Sequence, residues 1–154
     1  MNNRTIGMIV VLIGVICLTV GGIFIWQSLS LHGQVVTSMQ IEKATYTGQP
    51  ERITPDGEVI EVNKQINGII DTMEEAKLMA DTLQAHRLSE YPPYTEMDRD
   101  DPNRDVVING MVLQNLLVTA EIGFGVSTLA LGVGLFMVVV GIALGGIGLV
   151  IRRR

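Results

Sequence analysis

Apolar residues gather at the two ends of this chain, and its middle alternates. From Ile6 to Ile25 the stretch IGMIVVLIGVICLTVGGIFI holds twenty residues without a charge, and a second uncharged run of thirty extends from Ile122 to Ile151. At about 1.5 Å of rise per residue, twenty helical residues match the roughly 30 Å of bilayer hydrocarbon. The pattern predicts transmembrane helices over 6–26 and 131–151. The second run is about 15 Å longer than hydrocarbon requires, so its first residues are expected above the lipid. There a helical stalk, 102–130, would lie beside a matching stalk, 27–39, whose Leu29, Leu31, Val35, Val36 and Met39 are available for packing. Trp26 marks the outer interface, where indoles are enriched. The competing interpretation of the first run is a cleaved signal peptide. That would need an apolar core of about 7 to 15 residues and a small-x-small cleavage site; neither fits, and Ile16 stands where a lipoprotein signal needs a small residue before Cys17.

Between the runs the period changes. ERITPDGEVIEV alternates around Pro-Asp-Gly and predicts a hairpin, within two or three short strands between Gln40 and Val62. DTMEEAKLMADTLQAHRL then predicts an amphipathic helix. Thr72 and Glu75 have capping-box spacing, Ile69, Met73, Ala76, Ala80 and Leu83 form its apolar stripe, and Pro92-Pro93 end it. The expected fold is a membrane α-helical hairpin, two transmembrane helices, carrying a small α+β extracytoplasmic domain over 40–101.

Composition sharpens the helical part. The chain of 154 residues is 47% hydrophobic but only 5% aromatic, with 17 glycines, which suits lipid-facing helices better than a soluble core. Gly7, Gly14 and Gly21 recur every seven residues, as do Gly134, Gly141 and Gly148. A seven-residue repeat keeps positions nearly on one helix face. Antiparallel pairing of Gly7 with Gly148, Gly14 with Gly141 and Gly21 with Gly134 gives a residue-number sum of 155 each time, so one register satisfies all three. Small residues let backbones approach closely in lipid. Gly141 and Gly145 also form a GxxxG, and Gly145-Gly146 leave a small patch for a second copy or another protein.

Charge sets orientation. Arg4 precedes the first run and Arg152, Arg153 and Arg154 follow the second, so the positive-inside rule places both termini, 1–5 and 152–154, in the cytoplasm. All sixteen acidic residues lie between Glu42 and Glu121 against seven basic ones, which makes the central segment −9 and extracytoplasmic. Such a segment repels nucleic acid and anionic lipid and favours a basic partner surface or cations. With Cys17 as the one cysteine, no intramolecular disulfide forms.

The densest charge is in YTEMDRDDPNRD, Tyr94 to Asp105, with seven charged residues in twelve. Asp101 as N-cap and Pro102 as first helical residue predict a helix start, with Asp98, Asp100 and Asp101 near the positive end of its dipole. That helix extends to about Arg152 unless Asn109-Gly110 kinks it. Asp101, Asn103 and Asp105 alternate as hard-cation ligands do, but Val106 and Val112 stand where an EF-hand needs glycine and glutamate. A looser cation site, or a partner-binding surface, remains for Glu96, Asp98, Arg99, Asp100, Asp101, Arg104 and Asp105, with Arg99 and Arg104 expected to pair with neighbouring carboxylates. The register places Glu121, a buried or wet acid, beside Gln34. His32 and His86 lack neighbouring ligands for a transition metal, and nothing supplies a pocket for paired-carboxylate hydrolysis. No catalytic residue, metal or cofactor is expected.

The order of a glycine-rich span, an external region, YTEMDRDDPNR and IGFGVSTLALGVG resembles a group of small two-span bacterial membrane proteins of actinobacterial and Chloroflexi type with a Tyr-x-Glu-x-Asp-Arg-x-Asp-Pro-x-Arg signature. Tyr94, Glu96, Asp98, Arg99, Asp101, Pro102 and Arg104 match it. The resemblance implies a plasma-membrane location and the two-span topology, and brings no activity. Two functional expectations follow. One is a non-catalytic accessory or scaffold subunit of a larger membrane assembly, with lipid and other subunits or copies of itself as partners. The other is a self-assembling homo-oligomeric pore or ring with an acidic, cation-attracting outer vestibule.

Overall fold

A computed structural model describes residues 3–54 and 56–153. Its elements are α1 (Asn3–Ile41), β1 (Thr45–Gly48), β2 (Glu51–Ile53), β3 (Val59–Glu61), β4 (Ile66–Ile69), α2 (Met73–Glu90), a short 3-10 turn (Tyr94–Glu96) and α3 (Arg104–Arg153). The chain is mostly helical, with a small strand region. It divides into two compact units, Met1–Gly33 with Val126–Arg154, and Gln34–Gly125.

In the first unit, portions of α1 and α3 pack antiparallel along one stripe each. Gly7, Gly14, Gly21 and Ser28 are buried on α1, and Ser127, Gly134, Gly141 and Gly148 on α3. Both helices are long and apolar enough to cross a membrane, and most of their apolar stretches are exposed rather than buried. The core helix of a soluble protein has the opposite distribution.

The second unit has a helical core. Met39 of α1, Ile70 just after β4, Ala76 and Ala80 of α2, and Leu117, Ala120 and Phe124 of α3 form one buried cluster, with Val35, Val36, Ala44, Met79, Leu83 and Val118 packed around it. The other side of α2 lies on β2. There the buried Thr82 hydroxyl accepts from the Glu51 N–H at 2.9 Å and lies 2.8 Å from the Leu78 carbonyl, so a polar group inside the unit is satisfied. β2 pairs antiparallel with β3 in the register Glu51 to Glu61 and Ile53 to Val59, the expected hairpin. Its turn is held by the Gly57 N–H donating to the Thr54 carbonyl at 2.9 Å, with Gly57 at φ 86, a conformation that favours glycine. Pro55, part of the predicted turn, lies outside the described residues.

A fourth strand was not expected. β4 pairs antiparallel with β1, Thr45 opposite Ile69 and Gly48 opposite Ile66, and it alters the apolar stripe predicted for α2. Strand alternation carries through this segment, so Ile66 and Ile70 are buried while Ile69 is exposed. Ile70 therefore takes the core place assigned to Ile69, and Met73 is also largely exposed.

Helix ends follow local chemistry. Thr72 caps α2, its hydroxyl accepting from the Glu75 N–H at 3.3 Å, while Glu75 reaches back to the Asp71 N–H at 3.3 Å, a variant of the capping box shifted by one residue. Tyr91 ends α2 in an extended conformation, φ −132 and ψ 145, as proline at the next position demands. α3 continues unbroken through Asn109-Gly110. The space beside Gly110 is taken by the Arg87 side chain, whose Cδ would lie 3.5 Å from an added Cβ. Glu121 is paired with Lys77 at 3.8 Å.

α1 ends on Lys43 at φ 51. The Ala44 N–H donates to the Met39 carbonyl at 2.9 Å and the Lys43 N–H to the Gln40 carbonyl at 3.1 Å. These are the paired bonds of a Schellman ending, with a non-glycine residue in the left-handed position. That conformation costs a side-chain-bearing residue about 1–2 kcal/mol. Lys43→Gly should therefore raise stability by about 1 kcal/mol, read as an increased Tm in thermal unfolding of the purified chain.

Candidate functional site

Two groups of residues answer to the candidates from the sequence: the glycine stripes of the first unit and the charged stretch of the second. They use their residues in different ways.

The glycines meet in the order that the sum of 155 requires. A Cβ added to Gly7 would lie 2.7 Å from the Gly148 carbonyl oxygen, and one on Gly148 would lie 2.8 Å from that of Gly7. Gly14 and Gly141 stand in the same reciprocal relation at 2.9 and 2.8 Å, and Gly21 and Gly134 at 2.8 and 2.9 Å. Distances below 3.0 Å leave no room for a side chain. The hydrogen present instead is directed at the partner's carbonyl, a Cα–H···O contact of about 0.5–1 kcal/mol. Gly145 differs from the other six. Its backbone nitrogen would lie 2.9 Å from a Cβ on Gly14, but nothing lies within 4 Å of a Cβ on Gly145 itself. Only one glycine of the GxxxG is thus needed for its missing side chain.

The stripe has a fourth pair. The Ser28 hydroxyl donates to the Ser127 carbonyl at 2.7 Å, and the Ser127 hydroxyl to the Ser28 carbonyl at 2.9 Å. Both side chains are buried. The numbers 28 and 127 also sum to 155, and each continues its helix's seven-residue repeat, so the signal was in the sequence. It is a signal of small residues rather than of glycine alone. The hydroxyls have an effect that glycine lacks. Sliding one helix by seven residues would again set glycine against glycine, but it would part the two serines.

The charged stretch is a clasp built around Arg104. Its Nη1 donates to the Met97 carbonyl at 2.9 Å and the Asp98 carbonyl at 3.2 Å. The guanidinium carbon stands 4.2 Å from the centroid of the Tyr94 ring, within cation–π range. Met97 beneath this loop is buried. Arg104 thus binds backbone and ring rather than the neighbouring carboxylates expected of it. The ion pairs among the described residues lie elsewhere, Arg52 with Asp81, Lys64 with Glu74, Lys77 with Glu121 and His86 with Glu90, and Arg99 is in none of them.

The clasp also moves the helix start. The Asp101 carboxylate accepts from the Asn103 N–H at 2.8 Å, and its carbonyl accepts from the Arg104 N–H at 3.2 Å. Pro102 and Asn103 therefore form a turn, and the Asn103 carbonyl takes the Val107 N–H at 3.0 Å. Asn103, not Asp101, stands just before the helix. Turn bonds local to Asp101 compete with the capping geometry that Asp-Pro favours.

Glu96, Asp98, Arg99, Asp100 and Asp105 are exposed, and Asp101 and Arg104 half-buried. Asp98 to Asn103 line a shallow, open concavity. No group of three or more His, Cys, Asp or Glu positioned to hold a metal occurs among the described residues. A separate apolar cavity of about 220 Å3, lined by Ile70, Met79, Leu83, Leu113 and Leu117 among others, adjoins the core. In comparisons with known proteins, no family model, no curated protein and no solved structure matches the chain.

Gly14→Ala and Gly141→Ala should each destabilise the helix pair by roughly 1–3 kcal/mol through overpacking. Gly22→Ala, Gly132→Ala and Gly146→Ala meet nothing within 4 Å and should be neutral or stabilising by up to about 1 kcal/mol through helix propensity; thermal unfolding in detergent separates the two sets. In the clasp, Arg104→Ala should cost about 1–3 kcal/mol, the range for hydrogen bonds to a charged donor. Asp98→Asn and Asp100→Asn should stay within about 0.5 kcal/mol, because the Asp98 contact uses its carbonyl. Comparable losses at the three positions would contradict a clasp centred on Arg104.

Proposed function

We propose that this chain is a two-span protein of the bacterial plasma membrane that acts as a non-catalytic accessory or scaffold subunit. Its helix pair anchors the acidic central segment on the extracytoplasmic side, with both termini in the cytoplasm. The observation that carries the proposal is the outer surface of the first unit. From Met8 to Phe24 the exposed residues are apolar apart from Thr19, whose hydroxyl returns to the Val15 carbonyl at 2.9 Å. From Leu129 to Val150 every exposed residue is apolar. Such a surface suits lipid or other apolar helices, and the polar groups of the stripe, Ser28 and Ser127, satisfy each other.

The same surface speaks against the pore. A water-filled conduit needs a polar stripe on the helices that line it, and neither apolar stretch presents one. The acidic stretch supports the scaffold as well. Tyr94, Asp101 and Arg104 serve to shape the loop, which leaves Glu96, Asp98, Arg99, Asp100 and Asp105 outward as a surface for a basic partner. The likeness to two-span bacterial membrane proteins accords with this topology.

Gentle solubilisation of native membranes, affinity purification of the tagged chain and mass spectrometry should recover other membrane proteins in fixed ratio to it. Recovery of the chain without other proteins, at several detergent strengths, would overturn the scaffold role.

A further inference from the structure

Within the Gln34–Gly125 unit, α3 carries a second stripe that its own core does not use. Ile108, Val112, Asn115, Thr119 and Ile122 follow one another at spacings of four, three, four and three, the spacing of a coiled-coil seam. At about 100° per residue they fall within an arc of about 80°, on the side of the helix opposite the buried Leu117 and Phe124. All five are exposed, Val112 and Ile122 at 60% each.

We propose that this seam binds the same seam of a second copy, so that the chain forms a parallel, two-fold dimer through α3. The mixture along the stripe selects the occupant. Lipid would suit Ile108, Val112 and Ile122 but leave the Asn115 carboxamide without partners. Water suits Asn115 and Thr119 but not three large apolar side chains on one face. A second copy in the same direction suits both, since each seam residue meets its own counterpart. Apolar residues then cover apolar residues, and a carboxamide, both donor and acceptor, pairs with a carboxamide. A single asparagine in an apolar seam also selects register. Met111 and Leu116, also exposed, stand on the flanks of the seam and widen its apolar edge. Asp105, one heptad before Val112, would face its own counterpart and so ends the seam. The parallel sense rests on the membrane placement proposed above, which holds both copies in one direction; the pairing itself requires no other subunit.

The test uses the full chain with Cys17→Ser and single cysteines at seam positions 108, 112, 115, 119 and 122, with Asn109→Cys and Leu113→Cys as exposed controls off the seam. Membranes are first washed with alkaline carbonate, then treated with an oxidant. The expected result is a chain retained in the membrane that gives a disulfide-linked product of twice the 16.8 kDa chain mass, at least about fivefold stronger at the seam than at the controls. Val112→Arg should lower the Asn115→Cys product at least about fivefold. A retained chain that gives no product, equal product at the controls, or adducts of another mass overturns the dimer. Release by carbonate, read before oxidation, overturns the membrane placement and with it the parallel sense.

Discussion

Close approach of two backbones, where side chains are absent, is the constraint from which the first unit follows. At Gly7, Gly14 and Gly21 on one helix and Gly148, Gly141 and Gly134 on the other, each carbonyl oxygen occupies the place of the partner's missing Cβ. The contact is reciprocal, so neither helix can shift without disturbing both members of a pair. In lipid, the proposed setting of this pair, no hydrophobic gain would reward association. The helices are held instead by dispersion at short range, weak Cα–H···O contacts and the two serine hydroxyls, all of which weaken steeply with distance. An array that dense in glycine costs helix propensity at every step. At 7, 14, 21, 134, 141 and 148 contact between the helices offsets that cost, whereas Gly22, Gly132 and Gly146 meet nothing within 4 Å and carry it without such a return.

How much of this was legible depended on whether the signal was periodic or local. The glycine register was visible because seven-residue spacing on both helices leaves a single common sum, and Ser28 with Ser127 obeys it too. The β2–β3 hairpin and the Thr72 cap were visible because each is specified within a few consecutive residues. What the sequence hid was competition between neighbours. Ile69 matched a helical stripe, yet pairing with Thr45, more than twenty residues earlier, kept the segment a strand and put Ile70 inside. Lys43 carries no mark of a left-handed helix end, a place more often taken by glycine. Asp101-Pro102 reads as a helix start, and only the reach of Arg104 back to Met97, Asp98 and Tyr94 shows why the chain turns once more before the helix begins.

That clasp bears on how charge should be understood in this chain. Seven charged residues in twelve invite a search for chemistry, but the strongest interactions in the stretch are made by one guanidinium with two carbonyls and an aromatic ring. One nitrogen, Nη1, binds both carbonyls while the guanidinium lies against the Tyr94 ring, and a flat, delocalised cation suits the ring contact better than an ammonium does. The carboxylates around it are left toward solvent, where like charges keep apart, and their collective effect is a negative field rather than a binding geometry. A field of that kind draws in a basic surface and repels lipid head groups of the same sign. It acts over roughly the Debye length of about 8 Å at physiological salt, so in the proposed scaffold role it would orient a basic partner on approach and leave specificity to shape.

Helix α3 contributes in three chemically distinct ways along its length, and the distinction follows from what each face must exclude. The glycine stripe excludes side chains so that a second backbone fits. The Leu117, Ala120 and Phe124 stripe excludes water by filling space between α1 and α2. The Ile108 to Ile122 stripe excludes neither, because its five residues stay exposed among the described residues, and it mixes β-branched apolar residues with an amide and a hydroxyl. A face meant only for solvent would not keep Val112 and Ile122, and a face meant only for hydrocarbon would not keep Asn115. The arrangement that wastes neither kind of residue sets like against like, which is the condition a two-fold axis imposes.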